Sequence, residues 1–386
     1  MKLIIKNANV VTASEVIENG ACLCEDGVIT YVGKEERAAD VTIDAEGGYL
    51  VPGFIDIHCH GGNGLEFMDA SADEFSDISG FHLSHGTTTM LATTLAASEE
   101  ETEAALNTFK QYLAKNPNGT LIGMHLEGPW LNPLQCGAQN ASYMKEPSCE
   151  ELRRLKERYP FVLRVSAAPE LKGGYEFGEC GKELGIVMSM AHTDADFSEA
   201  ERAKNSGYLL MTHLYSGMCG VRRKNAFRIA GAVEAGLYFD ELYTEIIADG
   251  RHLPPELLKL IYKFKGADRI ALITDAIRAC GLNEGSKTVI GSLKNGLPVI
   301  VEDNVAKLLD RQSFAGSCAT FDRLYRTMAD AIGRDMVALS KMASLTPAKI
   351  MGLYDRGEIK EGKLSHLLIL DKDLNIQKII YGETEL

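Results

Sequence analysis

Residues that can bind a metal ion or move a proton stand at the ends of five short apolar runs in the sequence. In chain order the runs end in His58 and His60, Glu127, His192, His213 and Asp275. His58 and His60 are two positions apart, so on a strand both side chains point to the same face. Polar side chains at the carboxyl ends of successive parallel strands form the active face of a (β/α)8 barrel. The pattern therefore predicts a metal-dependent hydrolytic site.

Glu127, His192 and His213 are the kind of ligand set that a catalytic metal ion uses. Three protein ligands leave a position for water, whereas structural zinc sites hold four ligands and are often rich in cysteine. A carboxylate at the centre of a barrel also has a high desolvation cost unless a cation meets it. His58 and His60 would supply a second position, so we expect one or two divalent ions. Zn²⁺ is the first expectation, and Fe, Co, Ni or Mn would suit the same ligands.

Asp275 has two interpretations. As a general base it would take a proton from a water whose pKa the metal lowers to ~7, and would return it to the leaving group. The sequence Thr274-Asp275-Ala276 also starts a turn, so the side chain could instead cap the N-terminus of a helix. The two roles are compatible, and the pattern favours the catalytic one.

The other histidines of these motifs are expected to pack rather than react. His125 shares the face of Glu127 one layer deeper in the barrel, where it would pack or support a ligand. His82, His85 and His366 are expected to be structural.

The bulk composition limits the class of protein. The chain has 386 residues, 45% of them hydrophobic and 24% charged, with a net charge of −14. This length fits a barrel of ~250 residues with a smaller module. The negative charge argues against nucleic acid or an anionic membrane as a partner.

The sequence also bears on location. The N-terminus lacks the pattern of a signal peptide, and no apolar run approaches the ~18 residues of a membrane span. Nine cysteines without a Cys-x-x-Cys pair indicate reduced thiols. We therefore expect a cytoplasmic protein.

Apolar runs alternate with helical patterns through the middle of the chain, which is typical of βαβ units. Candidate barrel strands lie at 53–58, 87–94, 120–127, 161–168, 185–192, 208–213, 243–249 and 269–275. Candidate helices include Glu99–Lys115, Cys149–Tyr159, Ala195–Ser206 and Pro254–Lys265. Residues 278–318 break this rhythm with a hairpin predicted at Thr288–Leu309, which would project over the active face.

Both ends of the chain read as short strands without a helical period. We therefore predict an α/β fold, in which a (β/α)8 TIM-like barrel over residues 51–354 carries a small β-sandwich. The β-sandwich would be built from both termini, residues 1–50 and 355–386.

Taken together, the motifs resemble the amidohydrolase superfamily and, within it, the N-acetylglucosamine-6-phosphate deacetylases. The matching pieces are Pro52–Asp56, His85–Thr88, His125–Pro129, Ala168–Glu170, Ala191–Thr193, Thr212–Tyr215, Ala248–His252, Thr274–Ala276 and Ala315–Ser317. Thr-His-Leu-Tyr and Ala-Asp-Gly-x-His are the most specific of them. The resemblance covers nearly the whole chain.

The resemblance implies a role for each matching position. Glu127, His192 and His213 would hold the main metal and Asp275 would be the acid/base, while His252 would contact substrate. Glu127 would bridge two ions, because the fourth strand carries no lysine for carboxylation. The remaining substrate contacts would be Ala138, Gln139, Ser216, Gly217, Arg223, Lys224, Arg251, Phe314, Ala315 and Gly316.

The implied reaction converts N-acetylglucosamine 6-phosphate to glucosamine 6-phosphate and acetate in a homodimer, whose basic loop can reach the neighbouring site. Several contact positions depart from the family pattern, however. Gln139 replaces a histidine, Ser216-Gly217 replaces Asn-Ala, and Arg251 replaces a leucine. The loop Arg222–Asn225 lacks the usual Pro-Gly.

Two alternatives stay open for these reasons. The first is the same hydrolysis on another N-acyl compound, either N-acetylgalactosamine 6-phosphate or a non-phosphorylated amide. The second is a non-catalytic binding protein on an inherited barrel, which the complete set of ligand residues disfavours.

Overall fold

Eight parallel strands form the centre of the molecule in a computed structural model that describes residues 1–35 and 37–386. In chain order they are Phe54–Cys59, Thr87–Thr94, Leu121–Glu127, Val162–Ala167, Val187–Met190, Tyr208–Met211, Tyr243–Ile246 and Ile270–Leu272. Each strand pairs with its neighbour in sequence. Beyond the last strand, the Asp275 N–H donates to the carbonyl of His58 at 2.9 Å, and the His60 N–H donates to the carbonyl of Ala276 at 2.8 Å. These bonds join the first and last strands, so the predicted barrel is confirmed.

Helices alternate with these strands and cover the outside of the barrel. The helices are Ala72–Ser84, Glu99–Lys115, Cys149–Arg158, Gly174–Glu183, Phe197–Asn205, Ala232–Tyr238, Pro255–Lys265, Phe321–Ile332, Met336–Ser340 and Thr346–Ile350. Three-residue 3₁₀ turns lie at Pro133–Gln135, Ala141–Tyr143 and Ala267–Arg269, and one π turn lies at Lys341–Leu345. The predicted helix Glu99–Lys115 has the predicted bounds because Ser98 and Glu101 form a capping box at its start.

Both termini contribute to a second sheet of eight strands. Its strands are Lys2–Val11, Val16–Glu25, Val28–Gly33, Val41–Asp44, Tyr49–Pro52, His366–Leu370, Ile376–Tyr381 and Thr384–Glu385. The C-terminal strand His366–Leu370 pairs with Tyr49–Pro52, which directly precedes the barrel. The sheet buries its own apolar core, including Ile5, Ile29 and Ile369. A β-sheet module made of both termini is therefore present, while its boundaries at residues 50 and 355 stay a prediction.

Five of the barrel strands end earlier than the sequence predicts, the fourth by a single residue at Ala167. The fifth to eighth strands were expected to run to residues 192, 213, 249 and 275, but they end at Met190, Met211, Ile246 and Leu272. For the fifth, sixth and eighth strands the reason is local backbone geometry, since His192, His213 and Asp275 have φ angles of 42°, 30° and 49°. These values lie in the left-handed region, which interrupts an extended strand.

The segment 278–318 forms three antiparallel strands instead of one hairpin. They are Lys287–Ile290, Leu297–Glu302 and Val305–Leu308. The second turn uses Asp303 and Asn304, both in the left-handed conformation with φ of 58° and 59°. Two short pairs complete the strands: Gly61–Gly62 with Leu65–Glu66, and Arg222–Lys224 with Phe227–Ile229. Among the described residues, no helix is both long and apolar enough to cross a bilayer.

Candidate active site

Six predicted site residues come together at the carboxyl ends of the barrel strands. His213 Nε2 lies 2.8 Å from Glu127 Oε1, and His192 Nε2 lies 3.3 Å from the same oxygen. On the other side, His60 Nε2 lies 3.3 Å from Glu127 Oε2. His58 Nε2 lies 3.6 Å from Oε1, so all four imidazoles surround the carboxylate of Glu127.

Asp275 completes the cluster on the side of His58 and His60. Its Oδ1 atom lies 3.1 Å from His60 Nε2 and 3.5 Å from His58 Nε2. No helix begins here, because residues 276–280 form a bridge and a turn. The carboxylate thus faces the imidazoles and the interpretation as a helix N-cap is wrong.

The donor set of this cluster suits a divalent cation. Two groups offer ligand atoms that all lie within 4.8 Å of one another: His58, Glu127 and His213, and His58, His60 and Asp275. Imidazole nitrogens and carboxylate oxygens are ligands for Zn²⁺ and the neighbouring transition metals. His58 belongs to both groups, so the orientation of its ring affects metal binding by each of them.

The pKa values of the cluster residues also fit a site for a cation. Burial would lower the pKa of His58 and of His60, but the two carboxylates that face them raise these pKa values to about 9 and about 10. Burial would raise the pKa of Glu127 and of Asp275, yet the imidazoles hold both below their ordinary values. The buried carboxylates therefore require positive charge, which protons or a metal ion can supply.

Backbone carbonyls orient two of the imidazoles. The Nδ1 atom of His192 lies 2.7 Å from the carbonyl oxygen of Gln135, and that of His213 lies 3.1 Å from the carbonyl of Ser216. A carbonyl only accepts, so each Nδ1 carries a proton and each Nε2 is the ring nitrogen that a metal ion in the cluster can take. This is the usual arrangement of metal-binding histidines.

A pocket of about 210 Å³ opens above the cluster. Of the predicted substrate contacts, seven line this pocket: Ala138, Gln139, Ser216, Gly217, His252, Phe314 and Gly316. His252 is held by Asp249, whose Oδ2 atom lies 2.9 Å from His252 Nδ1, and its ring packs on Phe314 at 4.9 Å between centroids.

Four predicted contacts do not line this pocket. Ala315 is fully buried beside it, and the exposed side chain of Arg251 lies outside its lining. Arg223 and Lys224 lie on the exposed pair Arg222–Lys224 and Phe227–Ile229, which we call the basic hairpin.

Gln139 connects the pocket wall to the cluster. Its amide nitrogen donates to Glu127 Oε2 at 2.7 Å and lies 3.4 Å from His192 Nε2. Its oxygen accepts the backbone N–H of Ala96 at 2.7 Å, which fixes the orientation of the amide. The glutamine that replaces the family histidine therefore contacts the central carboxylate.

A charged layer that none of the sequence motifs indicates lies beneath the cluster. Arg164 and Glu245 form a fully buried ion pair inside the barrel. Glu245 Oε2 lies 3.3 Å from His58 Nδ1. A glutamate within the apolar run Tyr243–Ala248 is the signal that could have identified it.

The remaining histidines lie outside the cluster of ligand atoms. His125 bonds to Ser166 Oγ at 2.7 Å in the layer below, as its sequence position suggested. His82 bonds to the carbonyl of Gly61 at 2.9 Å, and His85 lies 3.2 Å from an oxygen of Asp322. His366 stacks on Tyr381 in the terminal sheet.

Comparison with known proteins agrees with this geometry. The sequence profile of the amidohydrolase family matches residues 49–385. The chain is 32% identical over 384 residues to the N-acetylglucosamine-6-phosphate deacetylase of Bacillus subtilis, covering 97% of this chain and 94% of that protein. It is 30% identical to the N-acetylgalactosamine-6-phosphate deacetylase of Escherichia coli O157:H7, covering 92% and 91%.

A solved structure provides the third comparison. It is a mutant of N-acetyl-D-glucosamine-6-phosphate deacetylase from Mycobacterium smegmatis in complex with N-acetyl-D-glucosamine-6-phosphate. The TM-score is 0.90 at 28% identity, and the match covers 100% of this chain and 98% of that one. Since the family profile covers most of the sequence and these relatives span nearly all of it, the chain belongs to the amidohydrolase family.

Proposed function

We propose that this protein hydrolyses the acetamide of N-acetylglucosamine 6-phosphate to glucosamine 6-phosphate and acetate. The observation that carries the proposal is the convergence of four imidazoles on Glu127 and Asp275 at the floor of an open pocket. Relatives that span nearly the whole chain support the substrate class, since they deacetylate amino-sugar 6-phosphates.

One or two divalent ions would be held by the cluster, with Zn²⁺ as the proposed metal. Glu127, His192 and His213 would hold the first ion, and His58 and His60 would join Glu127 around a second. A bound ion would polarise the acetamide carbonyl and lower the pKa of a water. His252, oriented by Asp249, would donate to the sugar or to the acetamide.

Asp275 would move the proton of the reaction. Its carboxylate accepts a proton from the attacking water and delivers it to the amide nitrogen as the C–N bond breaks. The oxygen of that water joins the acetyl group as acetate, and the amine leaves with the proton. Burial would raise the pKa of Asp275, but the imidazoles hold it below its ordinary value, so the carboxylate is ionised at neutral pH.

In this proposal the basic hairpin binds the phosphate of the substrate. Arg223 and Lys224 are exposed and stand outside the pocket of their own chain. A homodimer would let them reach the phosphate of a substrate in the neighbouring subunit. An Arg can bind phosphate through two parallel hydrogen bonds, and a Lys binds it as a point charge.

A second candidate substrate is N-acetylgalactosamine 6-phosphate. The specific observation is the changed pocket wall, where Gln139, Ser216 and Gly217 stand at positions that differ from the family pattern. The relative from Escherichia coli O157:H7 that acts on this sugar is nearly as similar to the chain.

We also propose a cytoplasmic location and a division into the terminal β-sheet module, residues 1–50 and 355–386, and the barrel, residues 51–354. The location is supported by nine cysteines that are all free thiols.

The variant Asp275→Asn tests the mechanism. Asparagine keeps the shape of the side chain but cannot accept the proton, so turnover falls by about 10²–10⁴-fold while bound metal stays close to the wild-type level. Amine release and metal content are measured on one preparation. An Asp275→Asn protein that turns over the substrate at near the wild-type rate would contradict the mechanism.

A further inference from the structure

Below the ligand cluster, the interior of the barrel holds a complete ion pair with no exposure to solvent. Arg164 lies on the fourth strand and Glu245 on the seventh, and both side chains are 0% exposed. The guanidinium contacts both oxygens of the carboxylate, with Arg164 Nη2 lying 3.0 Å from Glu245 Oε2. A buried ion pair is often no more stabilising than an apolar replacement, so stability alone does not explain it.

Glu245 makes two contacts that lead to the ligand cluster. Its Oε2 atom lies 3.3 Å from Nδ1 of His58 and accepts the backbone N–H of His213 at 3.4 Å. His58 and His213 are both candidate ligands, and His213 has a left-handed backbone. The carboxylate therefore touches one ligand through its ring and another through its backbone.

Arg164 holds Glu245 from below and binds the same two chain segments. Its Nη1 atom donates to the carbonyl of Ile57, the residue before His58, at 3.0 Å. Its Nη2 atom donates to Thr212 Oγ1, on the residue before His213, at 3.0 Å. The guanidinium thus fixes the carboxylate relative to both histidines.

The proton on His58 follows from this arrangement. A carboxylate held by an arginine accepts, so Nδ1 of His58 carries a proton and Nε2 is the ring nitrogen that a metal ion can take. That Nε2 atom lies 3.6 Å from Glu127 Oε1 and 3.5 Å from Asp275 Oδ1, inside the ligand cluster. Histidine ligands of metals are commonly paired with a carboxylate in this way.

We propose that Glu245, held by Arg164, is a positioning residue that presents the Nε2 atom of His58 to the metal. The proposal rests on the proposed metal-dependent function, but it concerns a pair of residues that touches neither substrate nor metal. In this proposal the ion pair inside the barrel serves to position a metal ligand rather than to stabilise the fold.

The test removes both charges together, since removing one would leave the other buried without a partner. The variant is Arg164→Met with Glu245→Leu. Thr244→Val is the matched control, because Thr244 precedes Glu245 on the same strand, is buried, and its hydroxyl has no hydrogen-bond partner among the described residues. Adjacent side chains of a strand point to opposite faces, so the control leaves the barrel interior unchanged.

Zn²⁺ titration of the metal-free proteins supplies the first readout. We expect the Kd for Zn²⁺ to rise by about 10- to 100-fold in the double variant, as for other carboxylates that support a histidine ligand, and to stay unchanged in Thr244→Val. A double variant that folds and binds Zn²⁺ with the wild-type Kd would overturn the proposal. Should the double variant fail to fold, Glu245→Asp replaces it, because aspartate keeps the negative charge beside Arg164 while its shorter side chain draws the carboxylate away from His58 Nδ1, and a rise in Kd is again expected.

The second readout does not depend on metal or turnover. Crystal structures of the wild-type and variant proteins would show whether the His58 ring keeps its orientation once the carboxylate is removed. We expect the ring to rotate or to adopt more than one position. An unchanged ring would overturn the proposal even in a protein that binds no metal and deacetylates nothing, so its failure is distinct from the failure of the proposed function.

Discussion

Three residues of the candidate site have a backbone conformation that costs energy. His192, His213 and Asp275 all have positive φ angles, which are uncommon for residues other than glycine. Such strain persists only where the surrounding structure compensates for it, and it is concentrated at functional sites. Here each strained residue turns its side chain toward Glu127 or the imidazoles beside it. The strain therefore coincides with the geometry that the proposed reaction needs.

Gln139 gives a prediction at the scale of a single residue. Its replacement by Leu removes the N–H that meets Glu127 Oε2 and leaves the Ala96 N–H without its acceptor. Buried polar groups without partners are costly, so we expect the free energy of unfolding of the metal-free protein to fall by about 1–3 kcal/mol. Urea denaturation measures the change. Gln312→Leu, at an exposed position, is the control, and its free energy of unfolding should stay close to the wild-type value. Equal free energies of unfolding for the two variants would contradict a stabilising role for the Gln139 contacts.

At the scale of secondary structure elements, the loops that follow the strands supply much of the pocket wall. The insertion 278–318 contributes Ile290, Phe314 and Gly316 to the pocket wall. It is attached by Arg278, whose Nη2 atom bonds both oxygens of Asp69 at 2.9 Å and the carbonyl of Gly291 at 2.7 Å. A buried arginine therefore fixes the insertion over the active face.

The basic hairpin supports a prediction about the phosphate. We expect Arg223→Ala and Lys224→Ala to raise KM for N-acetylglucosamine 6-phosphate by about 10-fold or more, because each removes a positive charge worth about 1.5–3 kcal/mol as a hydrogen bond to a charged group. The KM for unphosphorylated N-acetylglucosamine should not change. Steady-state kinetics on both sugars make the comparison, with Lys372→Ala as a control of equal charge on an exposed position. Equal changes in KM for the two sugars would show that the basic hairpin does not bind the phosphate.

How far the sequence predicts these elements depends on the range of the interactions. Apolar runs and caps are local, so the eight strands and the helix Glu99–Lys115 follow from the sequence. The strand ends near His192 and His213 do not, because a left-handed residue is set by tertiary contacts rather than by propensity. The pairing of Arg164 with Glu245 requires strands four and seven to face each other across a closed barrel, which no local pattern contains.

At the scale of the whole molecule, the closed barrel explains why so many charged groups can be buried together. Its interior provides each of them with a partner from another strand, as Arg164 does for Glu245 and Thr274 does for Asp56. Burial raises the pKa of Asp56 to about 7, although the bonds from Thr274 and His58 counteract it. Site residues from five strands can therefore meet above an interior in which these charged groups are paired.

Acid stability is a property of the same buried interior. Burial lowers the pKa of His82 from 6.5 to about 4, although its bond to the carbonyl of Gly61 opposes this. Below pH 6.5 the unfolded chain takes up a proton at this imidazole that the folded chain does not accept until about pH 4. Lowering the pH across this window therefore stabilises the unfolded state, and the loss of stability from this residue is on the order of 3 kcal/mol.

Thermal unfolding as a function of pH measures this effect. The Tm of the wild-type protein is expected to fall as the pH is lowered from 6.5 to 4, and His82→Gln should flatten part of that slope. A residual slope is expected from His366, whose pKa burial also lowers to about 4. Identical slopes for the wild type and His82→Gln would contradict the assignment.

The most direct test of the central claim is amine release from N-acetylglucosamine 6-phosphate by the metal-loaded protein, run beside N-acetylglucosamine and N-acetylgalactosamine 6-phosphate. Metal content is determined on the same preparation. The proposal predicts one or two metal ions per chain and the highest kcat/KM on N-acetylglucosamine 6-phosphate. A metal-loaded protein that releases no amine from this sugar would contradict it.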